Sequence, residues 1–188
     1  MSKERTRQLS TAEERRETVL STAIGAFAAR GYWGTTTTEV ARAAGISQAY
    51  VYRLFPSKEL LFAAVVEHCF VQVRASLETA AAEADGSAPE LVLKAMGDSY
   101  ARLISDNDLM LIQLHAQAAA VSEPAVREVV RRGYAGLVEY VRGASGGSDE
   151  QVQQFFAVGM LCHLIVSMGP DDVDGPWMRT LSAGVTHY

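Results

Sequence analysis

A short segment with the signals of two helices and a turn constrains this chain more than any other feature. Residues 35–58 read TTTTEVARAAGISQAYVYRLFPSK. Thr36 and Glu39 have the spacing of a capping box, so we expect a helix to begin there. Gly45 suits the left-handed conformation that ends many helices, and Ser47 suits the cap of the next helix. This pattern is typical of a helix-turn-helix, whose second helix lies in the DNA major groove.

The second helix of this segment has a predicted inner and outer face. It is expected to run from Gln48 to Leu54 or Phe55, because Pro56 disfavours a helical conformation of the residue before it. An amide, two phenols and a guanidinium lie on its outer side and flanks, and glutamine and arginine side chains pair with bases or phosphates. The amino ends of both short helices suit phosphate oxygens. The predicted DNA-binding residues are Thr36, Thr37, Ser47, Gln48, Ala49, Tyr50, Tyr52, Arg53 and Lys58.

Within this set the sequence indicates different roles. Lys58 and Tyr52 are expected to hold phosphates, and Arg53 is expected to hold a phosphate or read a base. Gln48 and Tyr50 stand near the start of the recognition helix, where base edges are reached, so they are expected to set the sequence preference. A solvated helical hairpin without DNA contacts is the alternative.

Residues 15–62 resemble the DNA-binding domain of the TetR family of bacterial transcription regulators. The resemblance rests on the runs GYWGTT at residues 31–36, AGIS at 44–47 and FPSKEL at 55–60, and on apolar positions of the preceding helix. Ala49 stands where glycine is frequent in that family, and Tyr50 replaces a smaller polar residue. The resemblance implies a homodimeric, ligand-responsive regulator, and repression is the commoner outcome in such relatives, with activation left open.

Charge is divided unevenly along the chain. The net charge is −5, yet residues 1–60 contain nine basic and six acidic residues, so this part carries +3 and the rest −8. The division fits a basic DNA-reading head on an acidic body. DNA affinity depends on the charge within about 8 Å of the phosphates, so the overall negative charge does not argue against DNA binding.

The remaining chain predicts an all-α fold of about nine helices. Residues 1–57 are expected to form the DNA-binding domain, with residues 1–9 as a flexible basic arm that either touches DNA or is inert. The first long helix is expected to start at Ser10 or Thr11. Residues 58–188 are expected to form the effector-binding and dimerisation domain. Its helices are predicted near 57–83, 87–104, 109–120, 122–142, 148–168 and 176–186.

One helix of this second domain is expected to line a ligand pocket. Residues 109–120 are mostly apolar and therefore buried, but Gln113 and Gln117 share one face of the helix. They are expected either to enter a largely apolar cavity or to bond to neighbouring helices. The effector is unidentified and expected to be largely apolar. The predicted ligand-binding residues are Met96, Tyr100, Leu103, Met110, Gln113, Leu114, Gln117, Tyr134, Phe156 and His163.

The helix at residues 148–168 is apolar on every face and suggests a dimer interface. Phe155, Gly159 and Val166 are the predicted interface residues, and the last two helices of each copy are expected to pack together. The alternative is an interior helix of a monomer.

Catalysis is the weakest functional hypothesis. His68 precedes Cys69 and Cys162 precedes His163, but adjacent helical residues point about 100° apart, so neither pair is preset for proton transfer. The chain has no phosphate-binding loop, nucleophile elbow or metal motif, so we expect no enzyme activity, no catalytic residue, no metal and no cofactor. The two cysteines are expected to be reduced and buried.

The predicted partner is therefore double-stranded DNA, and the predicted function is a homodimeric repressor that a small molecule releases from a near-palindromic operator. The sequence shows no secretory segment and no apolar run of membrane-spanning length, so we expect a soluble cytoplasmic protein without a membrane partner. A helical adaptor that binds protein rather than DNA remains a further alternative.

Overall fold

A computed structural model describes the backbone of residues 2–84, 86–105, 108–169 and 175–185, with side chains from residue 13 onward. Within these ranges the protein is helical and contains no strand, which confirms the predicted all-α class. The helices are α1 (Ser2–Gly34), α2 (Thr37–Ala43), α3 (Gln48–Leu54), α4 (Lys58–Glu83), α5 (Pro89–Ile104), α6 (Asp108–Ala119), α7 (Pro124–Ser145), α8 (Asp149–Ser167) and α9 (Pro176–Ser182).

Helix α1 differs from the sequence prediction at its beginning. Its backbone is helical from Ser2, so the predicted start at Ser10 or Thr11 is corrected, and the predicted role of residues 1–9 as a flexible arm stays a prediction. The residues concerned include lysine, glutamate, arginine and glutamine, which are good helix formers, so the helix continues towards the amino end without needing a cap at Ser10. The predicted end is confirmed, because the helical conformation breaks at Gly31, where φ is 68° and ψ is −178°.

The chain forms two compact units, and each unit consists of two segments that are not contiguous in the sequence. Unit 1 consists of Met1–Cys69 and Leu111–Arg131, and unit 2 consists of Phe70–Met110 and Arg132–Tyr188. The predicted functional division between residues 57 and 58 stays a prediction. Unit 1 contains the helix-turn-helix together with the start of α4, most of α6 and the start of α7.

Specific contacts explain why unit 1 includes residues far along the chain. The Glu59 carboxylate accepts a hydrogen bond of 2.8 Å from the backbone N–H of Ala125. The Tyr32 hydroxyl donates to the Glu123 carboxylate at 3.0 Å, and burial together with this carboxylate raises the pKa of Tyr32 to about 12. Both acceptors are charged, and hydrogen bonds to charged groups contribute about 1.5–3 kcal/mol each when part-buried. The amino end of α7 is thereby fixed within unit 1.

The core of unit 1 is built on aromatic rings. Phe27 of α1 and Phe62 of α4 are fully buried, with ring centroids 4.7 Å apart, and the Tyr32 ring lies 5.4 Å from that of Phe62. Val51 and Phe55 from the helix-turn-helix are also buried. Burying one such side chain contributes about 1.5–3 kcal/mol, so this cluster holds the helix-turn-helix on α1 and α4.

The core of unit 2 joins the second half of α4 to three later helices. Its buried members are Val73, Leu77, Ala81, Val92, Leu93, Met96, Leu137, Val141 and Val152. Helices α5 and α8 pack against each other, and α9 packs on α8. At the edge, the Gln151 amide donates to the Glu90 carboxylate at 2.6 Å and ties the start of α8 to α5.

Helix α4 alone, among the described residues, is long and apolar enough to cross a membrane by length and composition. Of its most apolar window, 44% is buried within the protein. Its apolar positions supply the cores of both units, including Leu61, Phe62, Val73 and Leu77. The expectation that no apolar run reaches membrane-spanning length is therefore wrong for α4 by length and composition, and its apolar positions are explained as those of a core helix.

Candidate nucleic-acid interface and ligand-binding region

The start of α2 is capped as the sequence predicted. The Thr36 hydroxyl accepts a hydrogen bond of 3.2 Å from the Glu39 N–H, and the Glu39 carboxylate accepts one of 2.9 Å from the Thr36 N–H. These bonds with the backbone and side chain of Thr36 lower the pKa of Glu39, with a smaller contribution from Arg30, which forms an ion pair with it. The capping box therefore orders the first short helix and is charged at neutral pH.

The turn between α2 and α3 also follows the prediction. Gly45 has a φ of 66°, a conformation that side chains with a Cβ rarely adopt. The Ser47 hydroxyl accepts from the Tyr50 N–H at 3.2 Å and caps α3. The chain leaves α3 at Phe55, which has an extended backbone before Pro56. A helix-turn-helix with both caps in place is confirmed.

Helix α3 presents a polar outer face. Val51 is fully buried, whereas Gln48, Ala49 and Arg53 are exposed and Tyr52 is 44% exposed. The predicted inner and outer faces are therefore confirmed by burial. Ala49 is the small residue of the outer face, and its size allows the helix backbone to approach a base-pair edge closely.

Thr37 has a different place from the other predicted DNA-binding residues. It is only 5% exposed, and its hydroxyl accepts a hydrogen bond of 3.0 Å from the Gln48 side-chain amide. The same hydroxyl donates to the Tyr52 hydroxyl at 3.1 Å. Thr37 is therefore buried beneath the exposed face of α3, where its hydroxyl orients Gln48 and Tyr52. The bond between Thr37 and Gln48 uses the side-chain N–H of Gln48 and not its carbonyl oxygen.

Lys58 makes hydrogen bonds within the protein that the sequence did not predict. Its ammonium group donates to the Tyr32 carbonyl at 2.9 Å and to the Thr35 carbonyl at 3.4 Å. It also lies 4.3 Å from the centroid of the Tyr32 ring. A lysine has three N–H donors, so this geometry leaves one for a phosphate. The predicted phosphate contact stays a prediction, and Lys58 gains a structural role.

Two arginines of α1 reach the helix-turn-helix, and sequence reasoning missed both. The Arg16 guanidinium lies 4.3 Å over the Phe55 ring and donates to the Leu54 carbonyl at 3.4 Å. Arg15 donates to the Tyr50 hydroxyl at 3.4 Å. The available signal was the excess of basic residues in residues 1–60, but that charge count did not indicate which of them face α3.

Most of the predicted ligand-binding residues lie in unit 2. Met96 belongs to the core, and Tyr100, Leu103 and Phe156 pack against it as half-buried side chains. The Tyr134 ring lies 6.3 Å from Phe156, edge to face. A ligand-binding role for these residues stays a prediction.

Other members of the predicted ligand-binding set are placed differently. Gln113 is buried, and Leu114 and Gln117 are half-buried, all three in unit 1. Met110 is buried at the end of a segment of unit 2. The structure thus assigns the predicted residues to two units, and a role for the three residues of α6 in unit 1 stays a prediction.

His163 and Tyr100 form a buried polar pair in unit 2. His163 is 2% exposed, and its Nε2 lies 2.5 Å from the Tyr100 hydroxyl oxygen. Its Nδ1 has no hydrogen-bond partner within the described ranges. Burial lowers the pKa of His163, so the imidazole is neutral at physiological pH.

The predicted dimer residues face inward more than expected. Phe155 packs on the unit 2 core, and a Cβ at Gly159 would lie 3.9 Å from the Tyr100 ring of α5. Val166 is half-buried. The exposed side of α8 instead carries Met160 and Leu164, which are 39% and 49% exposed. Phe155 and Gly159 are half-buried within one copy of the chain, and the more exposed apolar side chains of α8 lie on another face, so the predicted role of Phe155, Gly159 and Val166 in a dimer stays a prediction.

Both cysteines are buried and free of disulfide bonds, as expected. Burial raises the pKa of the Cys69 thiol to about 12 and also raises that of Cys162. A thiol is nucleophilic as the thiolate, so neither cysteine is suited to covalent catalysis.

Residues 19–65 match the family model for bacterial regulatory proteins of the TetR family. The HTH-type transcriptional regulator CymR of Pseudomonas putida is 32% identical over 136 residues, which is 70% of this chain and 64% of CymR. The nucleoid occlusion factor SlmA of Haemophilus influenzae is 42% identical over 59 residues, 31% of this chain and 27% of SlmA. The matched part is thus less than two thirds of the length of either curated relative.

A solved structure of a TetR-family transcriptional regulator from Agrobacterium tumefaciens has the same fold. The TM-score is 0.71 at 16% identity, and the match covers 93% of this chain and 96% of that chain. At this identity the similarity supports the two-part helical fold and nothing more specific. CymR and the Agrobacterium tumefaciens protein are transcriptional regulators, in agreement with the prediction that this chain is not an enzyme.

Proposed function

We propose that the protein is a ligand-responsive transcriptional regulator of the TetR family that binds DNA through α3, because residues 19–65 match the model of that family. The observation that carries the proposal is the helix-turn-helix itself, with α2 and α3 both capped and Val51 buried beneath an exposed polar face. This arrangement presents a short, rigidly held helix to the major groove.

In the proposed complex the helix amino ends bind phosphates and Gln48 reads a base. The amino ends of α2 and α3, at Thr36 and Ser47, offer backbone N–H groups to phosphate oxygens. Gln48 has a carbonyl oxygen and one amide N–H left after its bond to Thr37, which suits the two-point pairing of an amide with adenine. Gln48 is therefore the proposed base-reading residue, and its hydrogen bond to the buried Thr37 hydroxyl fixes its orientation.

We propose that two copies associate through α8 and α9. Ala157, Met160 and Leu164 follow one another at helical spacing on the exposed side of α8, and Trp177 on α9 is 51% exposed. Such a patch is apolar enough to be costly in water and is covered if a second copy packs on it. This replaces the predicted residues Phe155, Gly159 and Val166 as the centre of the interface.

A dimer would present two copies of α3 to neighbouring turns of the major groove, about 34–36 Å apart, which favours a near-palindromic operator. A largely apolar small molecule bound among the half-buried aromatic residues of unit 2 would change the affinity for DNA, with a coupling of about 1–3 kcal/mol, or 5–150-fold. Release of a repressor is the proposed direction of this effect, and the bacterial cytoplasm is the proposed location.

Nucleoid occlusion is not proposed, because the match to SlmA covers only 31% of this chain. What the two proteins share supports a common DNA-binding module at most. The proposal for transcription regulation draws instead on the longer match to CymR, at 70% of the chain.

Selection from a pool of random duplexes tests the proposed function. Purified protein is mixed with 40-bp duplexes that carry a random central region, and bound duplexes are sequenced over successive rounds. We expect an enriched sequence with two inverted half-sites whose centres are one helical turn apart, and a Gln48→Ala variant that tolerates a changed base at one position of each half-site. A pool that remains random after selection would contradict DNA recognition, and a single asymmetric site would contradict the dimer.

A further inference from the structure

Tyr50 of α3 lies between two guanidinium groups that come from different helices. The Arg15 Cζ of α1 is 5.6 Å from the centroid of the Tyr50 ring, and Arg15 donates to the Tyr50 hydroxyl at 3.4 Å. The Arg53 Cζ of α3 is 4.5 Å from the same centroid. Both arginines are exposed, and Tyr50 is half-buried.

This arrangement brings two like charges to one tyrosine side chain at the surface. Two guanidinium groups repel each other, and contact with the electron-rich face of an aromatic ring offsets part of that repulsion. The hydrogen bond between Arg15 and Tyr50 shifts the pKa of both groups. It raises the pKa of Arg15 and lowers the pKa of Tyr50. Such a paired positive charge is stabilised further when an anion binds it.

Among the described residues, neither Arg15 nor Arg53 forms a salt bridge with a carboxylate. On α1, Glu13 and Glu17 stand two positions from Arg15, about 200° around the helix, and Glu14 stands one position away, about 100° around. Glu17 lies 3.7 Å from His68 of α4. Arg15 therefore brings to Tyr50 a positive charge that no carboxylate pairs with in the described part of the chain.

Tyr50 is held by the two arginines. Its hydroxyl accepts a hydrogen bond from Arg15 and its ring is in contact with two cations, which leaves the O–H of Tyr50 as its one available donor. Arg15 belongs to α1 rather than to the helix that enters the groove, and in a helix-turn-helix the helices outside the groove meet the DNA backbone. Guanidinium groups bind phosphate oxygens with two parallel hydrogen bonds, so their geometry fits this ligand.

We infer that Arg15, Tyr50 and Arg53 form a binding site for backbone phosphodiesters of DNA, in which the arginines contact the phosphates and Tyr50 positions them. The inference rests on the proposed DNA binding and deepens it. It replaces the expectation that Tyr50 sets sequence preference, and it brings α1 into the interface.

The salt dependence of binding to a 30-bp duplex of arbitrary sequence tests this site, because phosphate contacts form on any DNA. Removal of one arginine–phosphate interaction lowers the magnitude of the slope of log K against log salt by about 0.9. We expect this decrease for Arg15→Gln and for Arg53→Gln, so that a fourfold rise in salt weakens each variant about 3.5-fold less than the wild type. Arg142→Gln, an exposed arginine of unit 2, is the matched control and should keep the wild-type slope.

Substitutions of Tyr50 separate positioning from contact. Tyr50→Phe keeps the ring and should keep most of the slope, whereas Tyr50→Leu removes the support of both arginines and should lower it by more than either arginine variant alone. Helical content measured by circular dichroism, together with the thermal midpoint, shows that the variants are folded. In selection from random duplexes, Tyr50→Leu should return the wild-type consensus with weaker binding, whereas a changed consensus would show that Tyr50 reads a base and would overturn its positioning role.

Different results would contradict the phosphodiester site and DNA binding as a whole. A wild-type protein that binds no duplex contradicts DNA binding as a whole. A wild-type protein that binds DNA, with the same salt slope in Arg15→Gln as in Arg142→Gln, contradicts the phosphodiester site alone.

Discussion

Lys58 has structural contacts in addition to its predicted contact with a DNA phosphate. Its ammonium group bridges the carbonyls of Tyr32 and Thr35, which follow the break of α1 at Gly31. Both of these residues are buried, so loss of the lysine leaves their carbonyls without this donor. Hydrogen bonds from charged groups contribute about 1.5–3 kcal/mol, which makes Lys58 a structural residue of the DNA-binding module.

Lys58→Met is expected to lower the free energy of unfolding by about 2 kcal/mol, because methionine keeps the apolar stem and loses the donors. Urea unfolding followed by circular dichroism measures this. If the remaining N–H binds a phosphate, the salt slope for the 30-bp duplex also falls by about 0.9. A variant with wild-type stability and a reduced slope would show that the phosphate contact is the only role of Lys58.

His163 is a buried residue whose protonation is expected to destabilise the fold. Because burial lowers its pKa below the ordinary value of about 6.5, the unfolded chain binds a proton at this residue in a pH range where the folded protein does not. The free energy of unfolding therefore decreases as the pH falls from 7.5 through 6.5 towards the folded pKa, by at most about 1.4 kcal/mol per pH unit. Below the folded pKa this contribution is lost completely and the slope ends.

The double variant His163→Phe/Tyr100→Phe removes both members of the polar pair and should lack this part of the pH dependence. Urea unfolding of both proteins between pH 7.5 and 5 provides the comparison, and the other histidines cancel because they are common to both. Equal pH dependence of the two proteins would mean that His163 titrates normally.

At the scale of elements, two glycines of α7 offer a matched test of packing. A Cβ at Gly133 would clash with the Phe70 ring, whereas a Cβ at Gly136 would meet nothing within 4 Å. Gly133→Ala should therefore destabilise the protein by about 1–3 kcal/mol through overpacking. Gly136→Ala should stabilise it by about 0.5–1 kcal/mol, because alanine loses less backbone entropy in a helix.

Thermal unfolding of the two variants measures this difference directly. A lower midpoint for Gly133→Ala and a higher one for Gly136→Ala are expected. If both variants move in the same direction, the close approach of α4 and α7 at Phe70 is not the constraint on residue 133.

The helices and their connections also show which features are encoded locally. The capping box at Thr36, the turn at Gly45 and the cap at Ser47 depend on residues three or four apart, and all three were predicted correctly. The contacts of Lys58 and Arg15 join residues more than 20 positions apart, and no local pattern encodes them. Helix α8 shows the same limit, because its composition predicted burial on all sides but not which face packs within the chain.

At the scale of the whole molecule, the proposed dimer depends on the exposed face of α8. Leu164→Arg places a charge in the centre of this face and should give a monomer with wild-type helical content, since Leu164 is 49% exposed in the single chain. Sedimentation at micromolar concentration distinguishes the states. Leu91→Arg, the same change at a leucine of α5 that is 58% exposed, is the matched control and should stay dimeric. A Leu164→Arg protein that remains dimeric would place the interface elsewhere.

The proposed function of the whole molecule depends on DNA binding through the outer face of α3. Ala49 is exposed on that face, so Ala49→Glu leaves the core intact while it brings a negative charge to the DNA backbone and a larger side chain to the groove. Ala144→Glu, an equally exposed change at the end of α7, adds the same charge to unit 2 and is the matched control.

The decisive measurement is the dissociation constant of each variant and of the wild type for the selected duplex, obtained by fluorescence anisotropy at fixed salt. We expect at least a hundredfold weaker binding for Ala49→Glu, a loss of about 2.7 kcal/mol, and little change for Ala144→Glu. Equal affinities of the two variants would contradict DNA binding through α3.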